Sequence, residues 1–253
     1  MQKERVAYIL EKLDQKGRVL VSELSRELHV SEMTIRLDLR LLSEQGLVRR
    51  VHGGAERAGE SLYKGDIRQN LYRNAAAKLA IAKAAARQIH PGDALLVDDS
   101  STCLYLLRQI KKDPSLGVTV YTNSILAAAE LLDTPHIHLF LIGGECSRNL
   151  AATSGPAAEQ ELSAIRADHC IIGANGVSPE AGVSVIGYSQ MKLKQAMLTA
   201  SRNHILLADS HKFNLQFLSV VCPLSDIDLL ITDSDSSEEL LAPYLKQTAV
   251  LRA

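Results

Sequence analysis

Apolar residues in the first part of the chain recur at the spacing of short amphipathic helices. The first stripe follows the i, i+3, i+4, i+7 pattern of one helix face, and two further stripes follow after short polar turns. The apolar positions of the three stripes are Val6, Ile9, Leu10 and Leu13, then Leu24 and Leu28, then Ile35, Leu39 and Leu42. Ser22 and Ser31 are predicted to cap the second and third helices. A strand at 47–51, Leu-Val-Arg-Arg-Val, and a Gly-Gly turn at 52–55 predict a hairpin, so residues 1–56 are expected to form one small domain.

The pattern changes twice after this domain. Residues 57–74 show no convincing apolar period and are predicted to be a linker. From residue 75 onwards, apolar runs of strand length alternate with helical stretches. The predicted strands are 94–97, 118–121, 137–142, 169–172, 204–208, 227–231 and 248–251, and the predicted helices include 75–89, 124–132, 156–165, 188–201 and 237–246. Continuous apolar strands alternating with helices indicate an α/β domain over 75–253, with a mostly parallel sheet covered on both faces.

Composition narrows the class of protein. The chain has 253 residues, of which 46% are hydrophobic and 23% are charged, as expected for a folded protein. The formal net charge of −1 gives no overall sign of a nucleic acid or membrane partner, so only the local distribution of charge could reveal one. The four cysteines form no CxxC pair and no cluster with histidine, so neither a metal site nor a disulfide is predicted. No apolar run approaches about eighteen residues, and a cytoplasmic protein without a cofactor is expected.

The second and third predicted helices have the proportions of a helix-turn-helix at about residues 20–39. The second helix of such a motif lies in the major groove, where small polar and Arg side chains near its start reach base edges and phosphates. The candidate DNA-binding residues of this helix are Ser31, Glu32, Thr34, Arg36 and Arg40. The hairpin would be a wing whose Arg49, Arg50 and His52 contact the flanking backbone. The alternative is a helical oligomerisation module with a solvated charged face.

Three segments of this region resemble the winged-helix signature of DeoR-family transcriptional regulators. They are Val19-x-Val21-Ser22-Glu23-Leu24-Ser25, Val30-Ser31-x-x-Thr34-Ile35-Arg36-x-Asp38-Leu39 and Gly46-Leu47-Val48-x-Arg50-x-His52-Gly53-Gly54-Ala55. The resemblance implies a winged helix-turn-helix that binds operator DNA. The family commonly has a second Arg in the third helix where this chain has Leu37. The missing positive contact bears on the operator sequence rather than on DNA binding itself.

Small polar residues follow the carboxyl ends of the predicted strands, where ligands bind in open α/β sheets. Two hydroxyl clusters open helices, whose free N–H groups and dipole attract an anion. Lys194, His211 and Lys212 could complement a phosphate, and Asp98 and Asn175 would suit sugar hydroxyls. The candidate effector-binding residues are Asp98, Ser100, Ser101, Thr102, Thr122, Asn123, Ser124, Asn175, Lys194 and Lys212. The alternative for any one cluster is that its residues are ordinary helix caps and turn residues.

The second half of the chain resembles the effector domain of the same family. The matching segments are Lys78-x-x-Ile81-Ala82, Ile89-x-x-Gly92-Asp93, Thr122-Asn123-Ser124, Leu141-x-Gly143-Gly144, Gly155-Pro156, Ala208-Asp209-Ser210-x-Lys212-Phe213 and Thr232-Asp233. The resemblance implies a fold similar to ribose-5-phosphate isomerases and a sensor of phosphorylated sugars or related metabolites. Ser100-Ser101-Thr102 matches the family's phosphate-loop segment, usually Gly-Thr-Thr, and the loss of its Gly restricts the backbone. Asp98 and Lys212 match unaltered, whereas Lys194 is a looser match.

Three classes of function remain open at this point. The leading class is a repressor of a carbohydrate-metabolism operon, released from operator DNA by a phosphorylated sugar or related metabolite. The second is a sugar-phosphate isomerase with an accessory amino-terminal domain. The loop 173–176 has no carboxylate to act as a general base, but Asp98, Asp99 and Asp209 are alternatives. The third is a structural oligomerisation protein, which leaves the polar edge unexplained. A single recognition helix buries too little surface for operator affinity, so a dimer or tetramer is predicted.

Overall fold

The chain folds as two compact units, Met1–Ala75 and Ala76–Ala253. The computed structural model describes residues 2–44, 48–51, 53–57 and 66–253. Within these ranges, no helix is both long and apolar enough to cross a membrane. The same ranges contain no group of three His, Cys, Asp or Glu side chains placed to hold a metal ion.

The amino-terminal unit is built from short helices and a three-stranded antiparallel sheet of order β1-β3-β2. Its elements are α1 (Gln2–Lys16), β1 (Arg18–Leu20), α2 (Val21–Glu27), α3 (Glu32–Glu44), β2 (Val48–Val51), β3 (Gly54–Arg57) and α4 (Ile67–Tyr72). The three predicted helices and the hairpin are present. The predicted cap at Ser22 is wrong, because α2 already begins at Val21 and follows Leu20 without a side-chain cap.

The predicted apolar stripes of the first three helices form the core of this unit. The buried residues are Val6, Ile9, Leu13, Val19, Val21, Leu24, Ile35, Leu39, Leu42, Val48 and Ala55. Arg5 of α1 donates two hydrogen bonds to the buried carboxylate of Asp38 on α3, at 2.5 and 3.1 Å. Gly54 allows β3 to pass close to β1, since a Cβ there would lie 2.0 Å from the Val19 carbonyl oxygen. The Arg5–Asp38 contact holds α3 against α1, and the Gly54 contact holds β3 against β1.

The helix α4 lies inside the segment that was predicted to be a linker. Asp66 caps it by accepting a hydrogen bond from the Arg68 N–H at 2.9 Å. At six residues the helix has fewer than two turns, which is too short for an apolar period to show in the sequence.

The carboxy-terminal unit contains a seven-stranded sheet of order β15-β14-β12-β9-β4-β5-β6, in which every neighbouring pair is parallel. Its strands are β4 (Ala94–Val97), β5 (Val118–Thr122), β6 (Ile137–Leu141), β9 (Ala167–Gly173), β12 (Ser201–Leu207), β14 (Leu229–Thr232) and β15 (Ala249–Arg252). The helices are α5 (Ala75–Ala86), α6 (Ser101–Lys111), α7 (Ile125–Leu131), α8 (Pro156–Ser163), α9 (Tyr188–Thr199) and α10 (Glu238–Leu241).

The predicted α/β class and parallel sheet are confirmed. Leu95, Leu96 and Val97 are consecutive in β4 and are all fully buried, so both faces of the central strands are covered. Two small antiparallel sheets were not predicted. They are the pair β7 (Glu145–Ser147) and β8 (Ala152–Ser154), and the sheet formed by β10 (Gly176–Ser178), β11 (Gly182–Val185) and β13 (Ser219–Cys222).

Candidate ligand site and candidate DNA-binding face

Five parallel strands bring polar segments to one edge of the large sheet. β12, β9, β4, β5 and β6 are neighbours in that order, so the residues following each strand meet at their common carboxyl edge. Most of the side chains that the sequence selected for an effector site stand on this edge. Some of these side chains are hydrogen-bonded to other residues of the edge and stabilise it. Others have no hydrogen-bond partner among the described residues and could contact a ligand.

The start of α6 carries the groups best placed for an anion. Ser100 caps this helix, because its hydroxyl accepts a hydrogen bond from the Cys103 N–H at 3.2 Å. The first backbone bond of the helix runs from the Leu104 N–H to the Ser100 carbonyl at 3.0 Å. The N–H groups and hydroxyls of Ser101 and Thr102 have no hydrogen-bond partner among the described residues. Both side chains are largely buried, so these unpaired donors favour a bound anion or water.

Directly before this helix, Asp98 forms a buried ion pair with Lys194 of α9. Asp98 also accepts hydrogen bonds from the N–H groups of Ser100 at 2.8 Å and Gly173 at 2.7 Å. Burial by itself would raise the pKa of Asp98, but the charge of Lys194 and the hydrogen bonds from Lys194 and the Gly173 N–H lower it below the ordinary value. Burial would lower the pKa of Lys194, but the neighbouring carboxylates raise it. Both groups are therefore charged and satisfied by each other, and a ligand could recruit them only by opening this pair.

Gly173 at the end of β9 is where the sheet meets the α6 cap. A Cβ at this position would lie 2.5 Å from both the Cβ and the hydroxyl oxygen of Ser100. The absence of a side chain thus allows the Gly173 N–H to reach the Asp98 carboxylate.

Asp99 was not among the predicted effector-binding residues, although it is buried at the same edge. The Asn123 amide donates hydrogen bonds to Asp99 Oδ1 at 3.2 Å and to the Thr153 carbonyl at 3.0 Å. Burial, assisted by the charge of Asp98, raises the pKa of Asp99 despite the nearby Lys194. Asn123 Oδ1 is buried and has no partner among the described residues. The sequence signal for Asp99 was its position directly after the β4 strand, next to Asp98.

Three other predicted effector-binding residues accept hydrogen bonds from backbone N–H groups. Thr122 accepts a hydrogen bond from the Ser124 N–H at 3.1 Å, and Ser124 caps α7 by accepting one from the Ala127 N–H at 3.2 Å. Asn175 Oδ1 accepts a hydrogen bond from the Ile186 N–H at 3.1 Å. The cap-and-turn alternative accounts for these bonds of Thr122 and Ser124, whereas the Asn175 bond joins two segments eleven residues apart.

Among the residues that the structure describes, Lys212 has no counterion, in contrast to Lys194. It ends a single 3-10 turn, Ser210–Lys212, that follows β12, and its side chain is half-buried. The turn is held by Ser210, whose N–H and hydroxyl donate to the buried Asp233 carboxylate at 2.6 and 2.9 Å. The Lys212 ammonium makes no hydrogen bond or ion pair with any residue that the structure describes. It is therefore a cation available at the carboxyl edge of the sheet.

In the amino-terminal unit, α3 presents a polar start to solvent. Ser31 caps the helix by accepting a hydrogen bond from the Thr34 N–H at 3.2 Å, and the two hydroxyls lie 2.9 Å apart. Arg36 pairs with Glu32 at 2.7 Å on the exposed face. Arg40 is also exposed.

Of the predicted wing residues, Arg50 stands exposed on β2. Arg49 lies on the same strand. His52 lies outside the described residues. The same α3 surface also exposes three apolar side chains that the sequence analysis did not select, namely Met33, Leu37 and Leu41. Their spacing of four residues, which places them on one face of the helix, could have been recognised in the sequence.

Comparison with known proteins decides the family. The profile described as "DeoR C terminal sensor domain" matches residues 73–234, and that described as "DeoR-like helix-turn-helix domain" matches residues 5–60. The chain belongs to the DeoR family of transcriptional regulators. The resemblance inferred from the sequence motifs is confirmed.

Several relatives within the DeoR family match along nearly their whole length. The HTH-type transcriptional regulator GolR of Listeria innocua is 33% identical over 95% of this chain and 94% of its own. The lactose phosphotransferase system repressor of Lactococcus lactis is 31% identical over 99% and 98% of the two chains. The HTH-type transcriptional repressor GlcR of Bacillus subtilis is 31% identical over 92% and 88%. Among solved structures, ribose 5-phosphate isomerase A from Methanocaldococcus jannaschii is 17% identical, covers 55% of each chain and has a TM-score of 0.41.

Proposed function

We propose that this DeoR-family chain represses a carbohydrate-metabolism operon and leaves its operator when a phosphorylated sugar or related metabolite binds. Residues 1–56 serve as the winged helix-turn-helix, 57–74 as the connection that includes α4, and 75–253 as the sensor. Relatives named as a lactose phosphotransferase system repressor and a putative aga operon repressor support the carbohydrate assignment. The repressor acts on DNA in the cytoplasm as a dimer or tetramer, because one recognition helix gives too small an interface.

The unpaired groups at the start of α6 carry the ligand half of the proposal. Two free backbone N–H groups and two hydroxyls at Ser101 and Thr102 match the acceptor oxygens of a phosphate. The positive end of the helix dipole adds to this attraction. β12, which leads to Lys212, lies two strands from β4, or about 10 Å at the usual strand spacing. A lysine side chain spans much of that distance, so one anion or sugar phosphate can contact both Lys212 and the start of α6.

The contacts at the edge also favour sensing over turnover. The loop after β9, residues 173–176, contains no carboxylate. Asp98 is held as a charged partner of Lys194 and cannot take up a proton without losing that pair. A general base needs a pKa near the working pH and access to the substrate, and Asp98 has neither. The loop 173–176 and Asp98 therefore supply no general base, which favours ligand recognition as the function of this unit.

A thermal-shift screen of the full chain tests the ligand half. Phosphorylated sugars are compared with the same sugars lacking the phosphate. A ligand present at a hundredfold excess over its Kd stabilises the folded state by about 2.7 kcal/mol and raises the melting temperature. We expect a shift only with phosphorylated compounds.

Lys212→Ala is the test variant for this screen and Lys246→Ala is its control. Lys246 is exposed and precedes β15, at the opposite edge of the sheet. Losing the Lys212 cation should weaken binding by about 10- to 150-fold, equivalent to about 1.5–3 kcal/mol, whereas Lys246→Ala should bind normally. Equal shifts with the unphosphorylated sugars, or full binding by Lys212→Ala, would contradict the proposed site.

A further inference from the structure

The helix α3, the predicted recognition helix of the amino-terminal unit, carries an apolar stripe on the face directed away from the core of that unit. Met33 and Leu37 are 63% and 54% exposed, and Leu41, one turn further on, is 38% exposed. Side chains four residues apart lie above one another on a helix, so these three form one continuous stripe. A row of large, exposed apolar side chains on a short helix marks a surface that binds a partner.

The stripe occupies the centre of the exposed face. Ile35 and Leu39 are fully buried, and Leu37 is two residues from each of them. At 3.6 residues per turn, two residues correspond to a rotation of about 200°. Leu37 therefore points almost directly away from the core. In a helix-turn-helix this is the face that enters the major groove, and residues near the helix start approach the bases most closely.

The surroundings of the stripe fit DNA better than an apolar protein surface. Arg36 and Arg40 flank Leu37 on the same helix, and the helix begins with the hydroxyls of Ser31 and Thr34. Arg50 stands exposed on the neighbouring hairpin. The cations and hydroxyls around the apolar stripe suit the phosphates that border the groove, and the stripe itself suits the base edges on the floor of the groove. The apolar group displayed on that floor is the C5-methyl of thymine.

We propose that Leu37 and Met33 read thymine in the operator by packing against its C5-methyl groups. This inference rests on the proposed DNA-binding function and adds the base class that the helix recognises. The Glu32–Arg36 pair supports it, because a guanidinium already bonded to a carboxylate at 2.7 Å has fewer donors left for guanine. Apolar contact thus supplies base discrimination at the centre of the helix.

The experiment begins by selecting high-affinity duplexes from a random library with the full chain. Each thymine of a selected site is then replaced singly by deoxyuridine, which keeps the base pair and removes only the methyl group. We expect one or more positions at which the wild-type protein loses about fourfold in affinity, the factor for burial of one methyl group. Leu37→Ala should bind the thymine duplex more weakly and show no difference between thymine and uracil at its position.

Two further variants sharpen the result. Leu132→Ala, a 75% exposed leucine that follows α7 in the other unit, should retain the wild-type thymine preference. Leu37→Arg should change the selected base at that position towards guanine, the usual partner of Arg. Wild-type binding that is indifferent to every uracil replacement, or a thymine preference that survives in both Leu37→Ala and Met33→Ala, overturns the inference while leaving DNA binding intact.

Two other outcomes identify different errors. If Leu37→Ala changes the oligomeric state measured by light scattering without DNA, the stripe is a protein contact and the inference is wrong. If the selection enriches no duplex at all, the proposed DNA-binding function fails, and the reading of thymine fails with it.

Discussion

Asp98 and Lys194 show how a residue chosen as a ligand contact is used for structure. Their ion pair is almost completely buried and joins the loop after β4 to α9. Removing one member of such a pair leaves an uncompensated buried charge, which commonly costs about 3–5 kcal/mol. The pair therefore maintains the edge on which the free groups of Ser101 and Thr102 stand.

Lys194→Met should lower the free energy of unfolding by about 3–5 kcal/mol at pH 7, because Asp98 remains buried without its cation. Lys192→Met on the same helix is the control and should have a far smaller effect. Urea unfolding followed by circular dichroism measures both. A loss no larger than that of the control would show that the pair contributes little.

The same pair predicts a pH dependence with a definite sign. The pKa of Asp98 is lowered in the folded protein, so its stabilisation is present above the unfolded value of about 3.9 and is lost as the pH falls through the folded pKa. The pKa of Lys194 is raised, so its contribution is present below about 10.4 and is lost as the pH rises through the folded pKa. In Lys194→Met, Asp98 has lost its cation and should take up a proton at a higher pH than in the wild type. The difference in the free energy of unfolding between the variant and the wild type should therefore be smaller at pH 5 than at pH 7. A gap that is constant over this range would contradict the assignment.

At the residue scale, the sequence could identify the polar edge but not its internal pairing. Asn175 was selected as a sugar contact, yet its side-chain oxygen is bonded to the Ile186 N–H, eleven residues away. Such a pairing depends on how β10, β11 and their loops return to the sheet, and no local pattern encodes that approach. Lys212 stays a candidate because no described partner neutralises it.

At the scale of elements, the long parallel strands were predictable because each is a continuous apolar run bounded by turn residues. The predicted strand 94–97 coincides with β4, and the predicted helix 188–201 extends only two residues beyond α9. The strands of three or four residues in the small sheets were missed, since so few positions cannot show alternation. The wing hairpin was predictable from its Gly-Gly turn.

The contact between β9 and the start of α6 gives a prediction at this scale. Gly173→Ala should destabilise the protein by about 1–3 kcal/mol, the usual cost of overpacking, because the new Cβ would strike Ser100. In a Ser100→Gly background the same substitution should cost less, since the colliding atoms are absent. Thermal unfolding of the four proteins forms a double-mutant cycle. Simple additivity of the two changes would show that these elements do not meet as described.

The wing gives a second prediction for an element. Arg50→Ala should weaken binding to all DNA sequences alike and reduce the slope of log K against log salt by about 0.9, the value for one lost phosphate contact. Arg166→Ala, at an exposed arginine after α8, is the control. Anisotropy titrations over a series of salt concentrations measure the slope. An unchanged slope for Arg50→Ala would remove the wing strand from the DNA interface.

At the scale of the whole molecule, regulation requires that effector binding by the carboxy-terminal unit and DNA binding by the amino-terminal unit shift the same equilibrium between two states of the protein. An effector changes operator affinity only through its different affinities for two states of the protein. A protein that cannot bind effector should therefore stay in its ligand-free state. For a repressor, that state is bound to the operator.

The most direct test of this account is a titration of the complex of the full chain and its selected operator with the phosphorylated sugar that gives the largest thermal shift. We predict that saturating effector weakens operator binding by about 5- to 150-fold, the usual range of coupling between sites. Lys212→Ala should bind operator as wild type does but need far more effector for release, whereas Lys246→Ala should respond normally. Operator affinity that is unchanged by any effector that binds, or release of Lys212→Ala at the wild-type effector concentration, would contradict the account.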